Sequence, residues 1–231
     1  MTELSRQAGC PLLGGDTTRT AKVGDIHAPV TISITAMGEL PQSMGLTRSG
    51  AHPGDDIWVS GCVGGAWAAL MHRWGKLTLD ARVFPAAALA MDRPNPRNAL
   101  GTALLSSATA CADISDGLAQ DLGHILERSG VDADVLWDAV PKHPALAALS
   151  QEQQVEAAMS GGDDYELVFT APADKRGLIE QASISALTPV TRIDRIVEKK
   201  PSGAPLAIRD ASGRPLFLPV QGFDHFAQSA D

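Results

Sequence analysis

The sequence is poor in cysteine, in aromatic residues and in runs of one charge, and these shortages exclude several classes of protein. Its three cysteines have no zinc-like spacing, and their odd number argues against a disulfide framework. There is no run of Lys or Arg and the net charge is −8, which argues against a nucleic-acid or anionic-membrane surface. Because no apolar stretch reaches membrane-spanning length and no signal-peptide pattern is present, we expect a cytoplasmic protein with reduced thiols.

Motifs of the common nucleophilic and zinc-dependent enzymes are also missing. The chain has no G-x-S-x-G elbow, no H-E-x-x-H zinc helix and no paired Cys/His nucleophile. The six histidines are scattered, and each by itself is better explained as a structural or exposed residue. With 44% hydrophobic and 20% charged residues, the composition is that of an ordinary globular protein with one large or two smaller domains.

The segment ADISDGL, residues 112–118, combines two aspartates and a serine at a predicted strand-to-helix corner. Residues 110–114 predict a buried strand, and apolar residues at i, i+4, i+7 and i+8 from Leu118 predict one buried helix face. We expect Ser115 or Asp116 to cap this helix, in a corner that suits phosphate, Mg²⁺ or both. Taken alone, the pattern favours a capped helix with a solvated carboxylate.

Two further acidic segments each follow a pair of glycines. GGDTTR at residues 14–19 contains Asp16, and SGGDDYEL at residues 160–167 contains three acids just before a predicted strand. An ordinary Gly-Gly turn remains the alternative for residues 14–19, and a solvated loop remains the alternative for residues 160–167. Carboxylates without His or Cys fit Mg²⁺ rather than zinc or iron, and Mg²⁺ beside Gly-rich turns is typical of ATP chemistry. The acids beside glycines therefore predict a magnesium–ATP site.

Strands and helices alternate along the chain, which predicts an α/β or α+β fold. Residues 30–37 (VTISITAM) alternate apolar and polar positions and predict a half-buried strand that pairs with Leu12 and Leu13. A turn-rich connector marks a domain boundary near residue 46. Residues 56–61 predict a strand, which a Gly-rich turn at residues 61–65 and a helix to about Arg73 follow, but no P-loop lysine is present. Structural packing is therefore the favoured interpretation of that turn.

Five segments together resemble the thiamine-monophosphate kinase family of the PurM-like (AIR synthetase-like) superfamily. They are GGDTTR at 14–19, TRSGAHPGD at 47–55, ADISDGLAQDLGHI at 112–125, SGGDDYEL at 160–167 and GFDHF at 222–226. The resemblance implies an α/β (α+β), PurM-like fold. Residues 1–45 would be the C-terminal part of an ATP-binding domain. Residues 46–231 would be a complete C-terminal domain with a mixed sheet flanked by helices.

The same resemblance implies ATP-dependent phosphorylation of thiamine monophosphate to thiamine diphosphate, assisted by several Mg²⁺ ions. Because the acceptor is an anionic phosphate, no general base is needed and no catalytic side chain is expected beyond positioning and metal-assisted transfer. The implied partners are thiamine monophosphate and ATP, without nucleic acid or membrane. The full-length family is expected to form homodimers.

The family's functional positions carry over to individual residues of this chain. The implied ATP contacts are Gly15, Asp16, Arg48 and Ser115. The implied Mg²⁺ ligands are Asp16, Asp113 and Asp116. Asp163, at a position that is often Glu, and the aromatic Phe223 are the implied substrate contacts, and an aromatic face suits a cationic heterocycle.

The chain departs from the family pattern at its start, where residues 1–8 look like the tail of a helix. Family members carry further acidic ligands, and a histidine that contacts substrate, in a segment that precedes this region. We therefore expect an N-terminally truncated relative that turns over ATP poorly by itself. The alternatives are another PurM-like ATP-dependent enzyme and a catalytically incomplete ATP- or ligand-binding remnant.

Overall fold

The chain divides into two compact units, Met1–Ser43 and Met44–Asp231. In this computed structural model the described residues are 2–19, 22–23, 26–27, 30–40 and 45–216. No helix within these ranges is long and apolar enough to cross a membrane.

The first unit contains little regular structure in its described part. Helix α1 spans Thr2–Gln7, and the two-residue strands β1 (Lys22–Val23) and β2 (Ile26–His27) form an antiparallel pair. The predicted strand at residues 30–37 is wrong, because residues 30–40 are exposed and irregular, as is the expected partner around Leu12. Apolar alternation marks a segment suited to a sheet, but a strand forms only where another strand supplies hydrogen bonds.

The second unit is built on a six-stranded mixed sheet in the order β4-β6-β3-β7-β5-β8. Only β5 and β8 are parallel neighbours, and all the other adjacent strands are antiparallel. The strands are β3 (Asp56–Ser60), β4 (Ala110–Ile114), β5 (Asp132–Leu136), β6 (Glu166–Ala171), β7 (Val190–Val197) and β8 (Leu206–Arg209). The predicted mixed sheet flanked by helices is thus confirmed.

Helices cover both faces of the sheet. They are α2 (Gly65–Arg73), α3 (Phe84–Asp92), α4 (Asn98–Ala103), α5 (Leu118–Ser129), α6 (Gln151–Val155) and α7 (Arg176–Ser185). The last turn of α6 continues as a π-helix at Glu156–Ser160.

Strand β3 shows how its alternating side chains divide the core. Ile57 and Val59 face the larger cluster, which includes the predicted apolar face of α5, whereas Trp58 faces a smaller cluster with residues of α4 and α7. Successive side chains of a strand point to opposite faces, so both faces of this central strand are buried. Strand β6 pairs with this buried strand and β4 pairs with β6, and two of the acidic segments adjoin the ends of β4 and β6.

Candidate functional site

Two of the acidic segments lie side by side at one end of the sheet. Because β4 runs antiparallel to β6, the loop after β4 lies next to the loop before β6. The N–H of Asp163 donates to the carbonyl of Ser115 at 2.9 Å, and the N–H of Tyr165 donates to the carbonyl of Ile114 at 2.8 Å. These bonds extend the strand pairing into both loops and join the two motifs through their backbones.

Close backbone approach explains the glycines in both loops. Gly117 has φ of 106°, and a Cβ added there would lie 2.9 Å from the carbonyl oxygen of Met159 and from Cα of Ser160. A Cβ on Gly162 would collide with the carbonyl oxygen of Ser115. Neither position has room for a side chain. The glycines therefore serve contact between the two loops, whatever ligand the loops bind.

The expected cap of the helix after β4 is wrong. Helix α5 begins after Gly117, which makes no side-chain capping bond. The N–H groups of Ser115 and Asp116 instead donate to the same oxygen of Asp121, each at 3.0 Å. Asp121 is buried, and burial raises its pKa against the opposing effect of these two donors. The buried Asp121 carboxylate thus binds backbone N–H groups in the corner that was expected to bind a phosphate.

Side chains alternate in direction through the second motif, DDYE at residues 163–166. Asp163 and Tyr165 are exposed, whereas Asp164 and Glu166 turn inward. The Asp164 carboxylate accepts the N–H of Gly64 at 2.7 Å and that of Ala66 at 3.4 Å, at the start of α2. An anion is favoured at a helix N-terminus, yet burial still raises the pKa of Asp164 to about 7.

This contact also explains the Gly-rich turn between β3 and α2. The N–H groups of Gly64 and Ala66, which lack partners within the helix, donate to the Asp164 carboxylate of the same chain. The interpretation of that turn as structural packing is therefore confirmed, and the pair Asp163–Asp164 divides into one outward and one inward carboxylate.

Glu166 forms a buried ion pair. Both of its oxygens accept from the Arg97 guanidinium, at 2.5 and 2.7 Å, and one also accepts from the Ser60 hydroxyl at 2.5 Å. This bidentate geometry ties the segment before α4 to the start of β6 and the end of β3. Cys62 lies close by, and burial together with the negative charges of Glu166 and Asp164 raises its pKa to about 11.

Three carboxylates remain directed outward at this end of the sheet. Asp113 and Asp163 are exposed and Asp116 is half-buried, where it accepts from Gln120 at 3.3 Å. Tyr165 lies close to all three carboxylates. Its pKa is raised first by burial, then by its hydrogen bond to Asp163 and by the charges of the three aspartates. The predicted residues Asp113, Ser115, Asp116 and Asp163 are thus brought together.

Carboxylates in this arrangement are suitable ligands for a hard cation. Oxygen donors without nitrogen or sulfur fit Mg²⁺. The charges of these aspartates contribute to the raised pKa of Tyr165 after burial and the hydrogen bond to Asp163. Within the described ranges, however, no group of three or more Asp, Glu, His or Cys side chains has a metal-binding arrangement.

Arg48 lies on the segment that runs along the open edge of β4. The N–H of Cys111 donates to the carbonyl of Thr47 at 2.9 Å, and the Ser129 hydroxyl donates to the carbonyl of Arg48 at 3.3 Å. The backbone of Arg48 is thus held beside the strand that carries Asp113, while its side chain is exposed.

The remaining predicted residues fall outside this unit or outside the described ranges. Gly15 and Asp16 belong to the first unit, where both are exposed and the N–H of Thr17 donates to Asp16 at 2.8 Å. Phe223 lies outside the described residues.

Sequence reasoning missed the internal roles of Asp121 and Asp164 and the position of Tyr165. A signal existed for Asp121, since it stands three residues after Leu118 and one before Leu122 and so falls on the apolar face of the helix. For Asp164, the period-2 alternation of an extended segment predicts that its side chain points away from those of Asp163 and Tyr165. Its partner, the start of α2, is 98–100 residues away and has no local signal.

Comparisons with known proteins agree with this fold. The family model described as "AIR synthase related protein, C-terminal domain" matches residues 52–204. The thiamine-monophosphate kinase of Haemophilus influenzae is 37% identical over 227 residues, covering 97% of this chain and 66% of that relative. The chain thus spans slightly less than two thirds of the length of that curated relative.

Solved structures give the same result. The crystal structure of thiamine-monophosphate kinase from Stenotrophomonas maltophilia K279a superposes with a TM-score of 0.67 at 39% identity, covering 73% of this chain and 54% of that one. A structure described as AaThiL complexed with AMPPCP and TMP superposes with a TM-score of 0.62 at 26% identity, covering 78% of this chain and 54% of that one.

Proposed function

The chain belongs to the family of AIR synthase related proteins, and we propose that its protein transfers the γ-phosphoryl group of ATP to thiamine monophosphate, yielding thiamine diphosphate. Curated relatives at 37–38% identity are named thiamine-monophosphate kinase, and these alignments extend over 94–97% of this chain. The AaThiL structure with AMPPCP and TMP supports the same pair of substrates.

One structural observation carries the proposal. The DISDG and GGDD motifs, which are 47 residues apart counting from Asp116 to Asp163, are joined by backbone hydrogen bonds at one end of the sheet. Their outward carboxylates share a surface with a tyrosine hydroxyl. Two phosphate-bearing substrates can meet at such a surface only if cations balance their charge.

Magnesium ions are the cations that these residues fit. Asp113 and Asp116 would hold Mg²⁺ in the second unit, and the role of Asp16 as a Mg²⁺ ligand stays a prediction from the family resemblance. When bound, Mg²⁺ would neutralise charge on the transferring phosphoryl group and orient it. Arg48 and Ser115 of the second unit would contact ATP, and Asp163 would contact thiamine monophosphate. The roles of Gly15 in ATP binding and of Phe223 in substrate binding stay predictions from the family resemblance.

The chain's own residues would act by positioning. A phosphate acceptor is already ionised near neutral pH, so no side chain has to remove a proton from it. Asp121, Asp164 and the Arg97–Glu166 pair keep the two loops in place from within the fold. The division into a domain of residues 1–45 and one of 46–231, the cytoplasmic location and the family homodimer stay predictions.

The proposal is tested by calorimetric titration of the purified chain with AMPPCP and with thiamine monophosphate, each with and without Mg²⁺. We expect AMPPCP to bind more tightly with Mg²⁺, and Asp116→Asn to reduce this Mg²⁺-dependent affinity by about 10-fold or more. Asp174→Asn, an exposed aspartate on the turn before α7, is the matched control and should bind as the unaltered chain does.

Failure to bind thiamine monophosphate at millimolar concentration, or an AMPPCP affinity that ignores both Mg²⁺ and Asp116→Asn, would contradict the proposal. The same mixtures with ATP, analysed for thiamine diphosphate by chromatography, test the expectation of poor turnover. Product formed at a rate of about 1–100 s⁻¹, typical of kinases, would show that expectation to be wrong.

A further inference from the structure

Tyr165 is the only tyrosine in the chain, and it lies outside the core. Its exposed fraction is 41%, although the residues on either side of it, Asp164 and Glu166, are turned inward and bonded. Its ring is therefore not needed to fill the interior, and an aromatic face is left at the surface beside Asp163.

The backbone presents Asp163 and Tyr165 together. Both have positive φ, 66° and 52°, a conformation that L-residues with side chains rarely adopt. Hydrogen bonds from their N–H groups to Ser115 and Ile114 hold this conformation. As a result both side chains point outward on the same side, and the Tyr165 hydroxyl donates to Oδ1 of Asp163 at 3.0 Å.

The charges around the ring limit what it can contact. Asp113, Asp116 and Asp163 all act on the Tyr165 hydroxyl electrostatically. A ring face in such a negative field attracts a positively charged group, and a cationic heteroaromatic ring would gain both the cation–π and the carboxylate interaction. A bare phosphate group would be repelled at this position.

We propose that Tyr165 is a specificity-determining residue, whose ring forms one wall of the subsite for the cationic heterocycle of the phosphate acceptor and whose hydroxyl orients Asp163 towards that heterocycle. The inference rests on the proposed function and deepens it, since it assigns the thiamine end of the acceptor to the loop before β6. In this arrangement Tyr165 contacts the substrate directly, and through its hydroxyl it also positions the Asp163 carboxylate.

A single tyrosine allows a direct test without any assay of turnover. Protein labelled with ¹³C-tyrosine gives one set of ring signals by NMR, and these are followed during titration with thiamine, thiamine monophosphate and inorganic phosphate, in the presence of AMPPCP and Mg²⁺. Thiamine and thiamine monophosphate should both shift the ring signals in a saturable way, whereas inorganic phosphate should shift them little.

Calorimetry on variants separates the two roles of the residue. Tyr165→Phe keeps the ring and should weaken thiamine binding by about 3- to 10-fold, because Asp163 loses its hydrogen-bond donor. Tyr165→Ala should weaken it by about 10- to 50-fold, because the ring is lost as well. Trp74→Ala, which removes an exposed aromatic residue at the end of α2, should leave thiamine affinity unchanged.

The outcomes distinguish this inference from the proposed function. If thiamine monophosphate binds by calorimetry but the Tyr165 signals do not shift, the inference is overturned while the proposed function stands. Equal affinity of Tyr165→Ala and the unaltered chain would overturn it in the same way. If neither thiamine compound binds, the substrate assignment fails and takes the inference with it.

Discussion

The Asp164 carboxyl group makes the free energy of unfolding depend on pH. Its carboxylate is half-buried against the N-terminus of α2, and burial raises its pKa to about 7, compared with 3.8 for an unperturbed aspartate. A carboxyl whose pKa is higher in the folded than in the unfolded chain binds its proton more tightly when folded. Its contribution to the free energy of unfolding is therefore greatest below pH 4 and falls as pH rises from about 4 to about 7.

We predict that Asp164→Asn reduces the pH dependence of stability. Between pH 5 and pH 8 the free energy of unfolding of the unaltered chain should fall by about 2 kcal/mol more than that of the variant, because asparagine cannot lose a proton. Urea denaturation followed by circular dichroism at both pH values measures this difference. Asp174→Asn should show the same fall in free energy of unfolding as the unaltered chain. If Asp164→Asn shows that fall as well, Asp164 is not its cause.

Asp121 is the second residue whose internal role has a functional consequence. Its carboxylate holds the N–H groups of Ser115 and Asp116 and thereby sets the shape of the loop that presents Asp113 and Asp116. Asp121→Ala leaves both donors without this partner and should cost about 2 kcal/mol in free energy of unfolding.

If the loop shape matters for cation binding, Asp121→Ala should also weaken Mg²⁺-dependent AMPPCP binding, although Asp121 itself faces the interior. Thermal denaturation first gives the range in which the variant is folded, and calorimetry at a temperature within that range measures this effect. Unaltered affinity in a destabilised variant would restrict Asp121 to a structural role.

At the scale of elements, the β4–α5 loop packs against the segment after α6. This contact requires a residue without a side chain at position 117, which is Gly117. A Cβ at this position would lie 2.9 Å from the backbone of Met159 and Ser160, and its φ of 106° is unfavourable for any other residue. Both effects act in the same direction, so the two loops must separate if Gly117 is replaced.

Gly117→Ala should therefore lower the free energy of unfolding by about 2 kcal/mol or more. Gly123→Ala, within helix α5 that follows Gly117, is the control, since a Cβ there meets nothing within 4 Å. It should raise the free energy of unfolding by about 0.5–1 kcal/mol, because alanine favours a helix. Chemical denaturation of both variants measures the contrast, and equal effects would mean that the loop contact is unimportant.

At the scale of the whole molecule, the two units differ in how they satisfy their backbone and apolar groups. The second unit buries an extensive core on both faces of its sheet. In the first unit, residues 30–40 are exposed, and Val30, Ile32, Ile34 and Met37 have exposed fractions of 68–87%. An irregular exposed segment with apolar side chains is readily bound in extended form by a protease.

We predict that thermolysin, which cleaves beside apolar residues, cuts first within residues 30–40. Mass spectrometry during limited digestion should then show a stable product that contains the whole six-stranded sheet. Strands β3, β4 and β6 are buried and hydrogen-bonded, so early cleavage within them would contradict this division into two units.

The elements of the second unit were readable from the sequence because their signals are local. The strand at residues 110–114 matches the predicted bounds, and the apolar face that begins at Leu118 is buried as predicted. The family resemblance rests on short motifs and is likewise a property of the sequence. The strand predicted at residues 30–37 failed for a nonlocal reason, since a strand needs a partner.

What the sequence by itself determined is therefore the main elements of the second unit, the family and the candidate acids. Only the tertiary structure decided which acids face outward, because the groups that bind Asp164 and Glu166 come from α2 and from Arg97, far away in the chain. A carboxylate's role depends on whether distant donors surround it or water does, and residue type alone does not specify this. The fold thus separates Asp121, Asp164 and Glu166, which hold the loops from within, from Asp113, Asp116 and Asp163, which are directed outward.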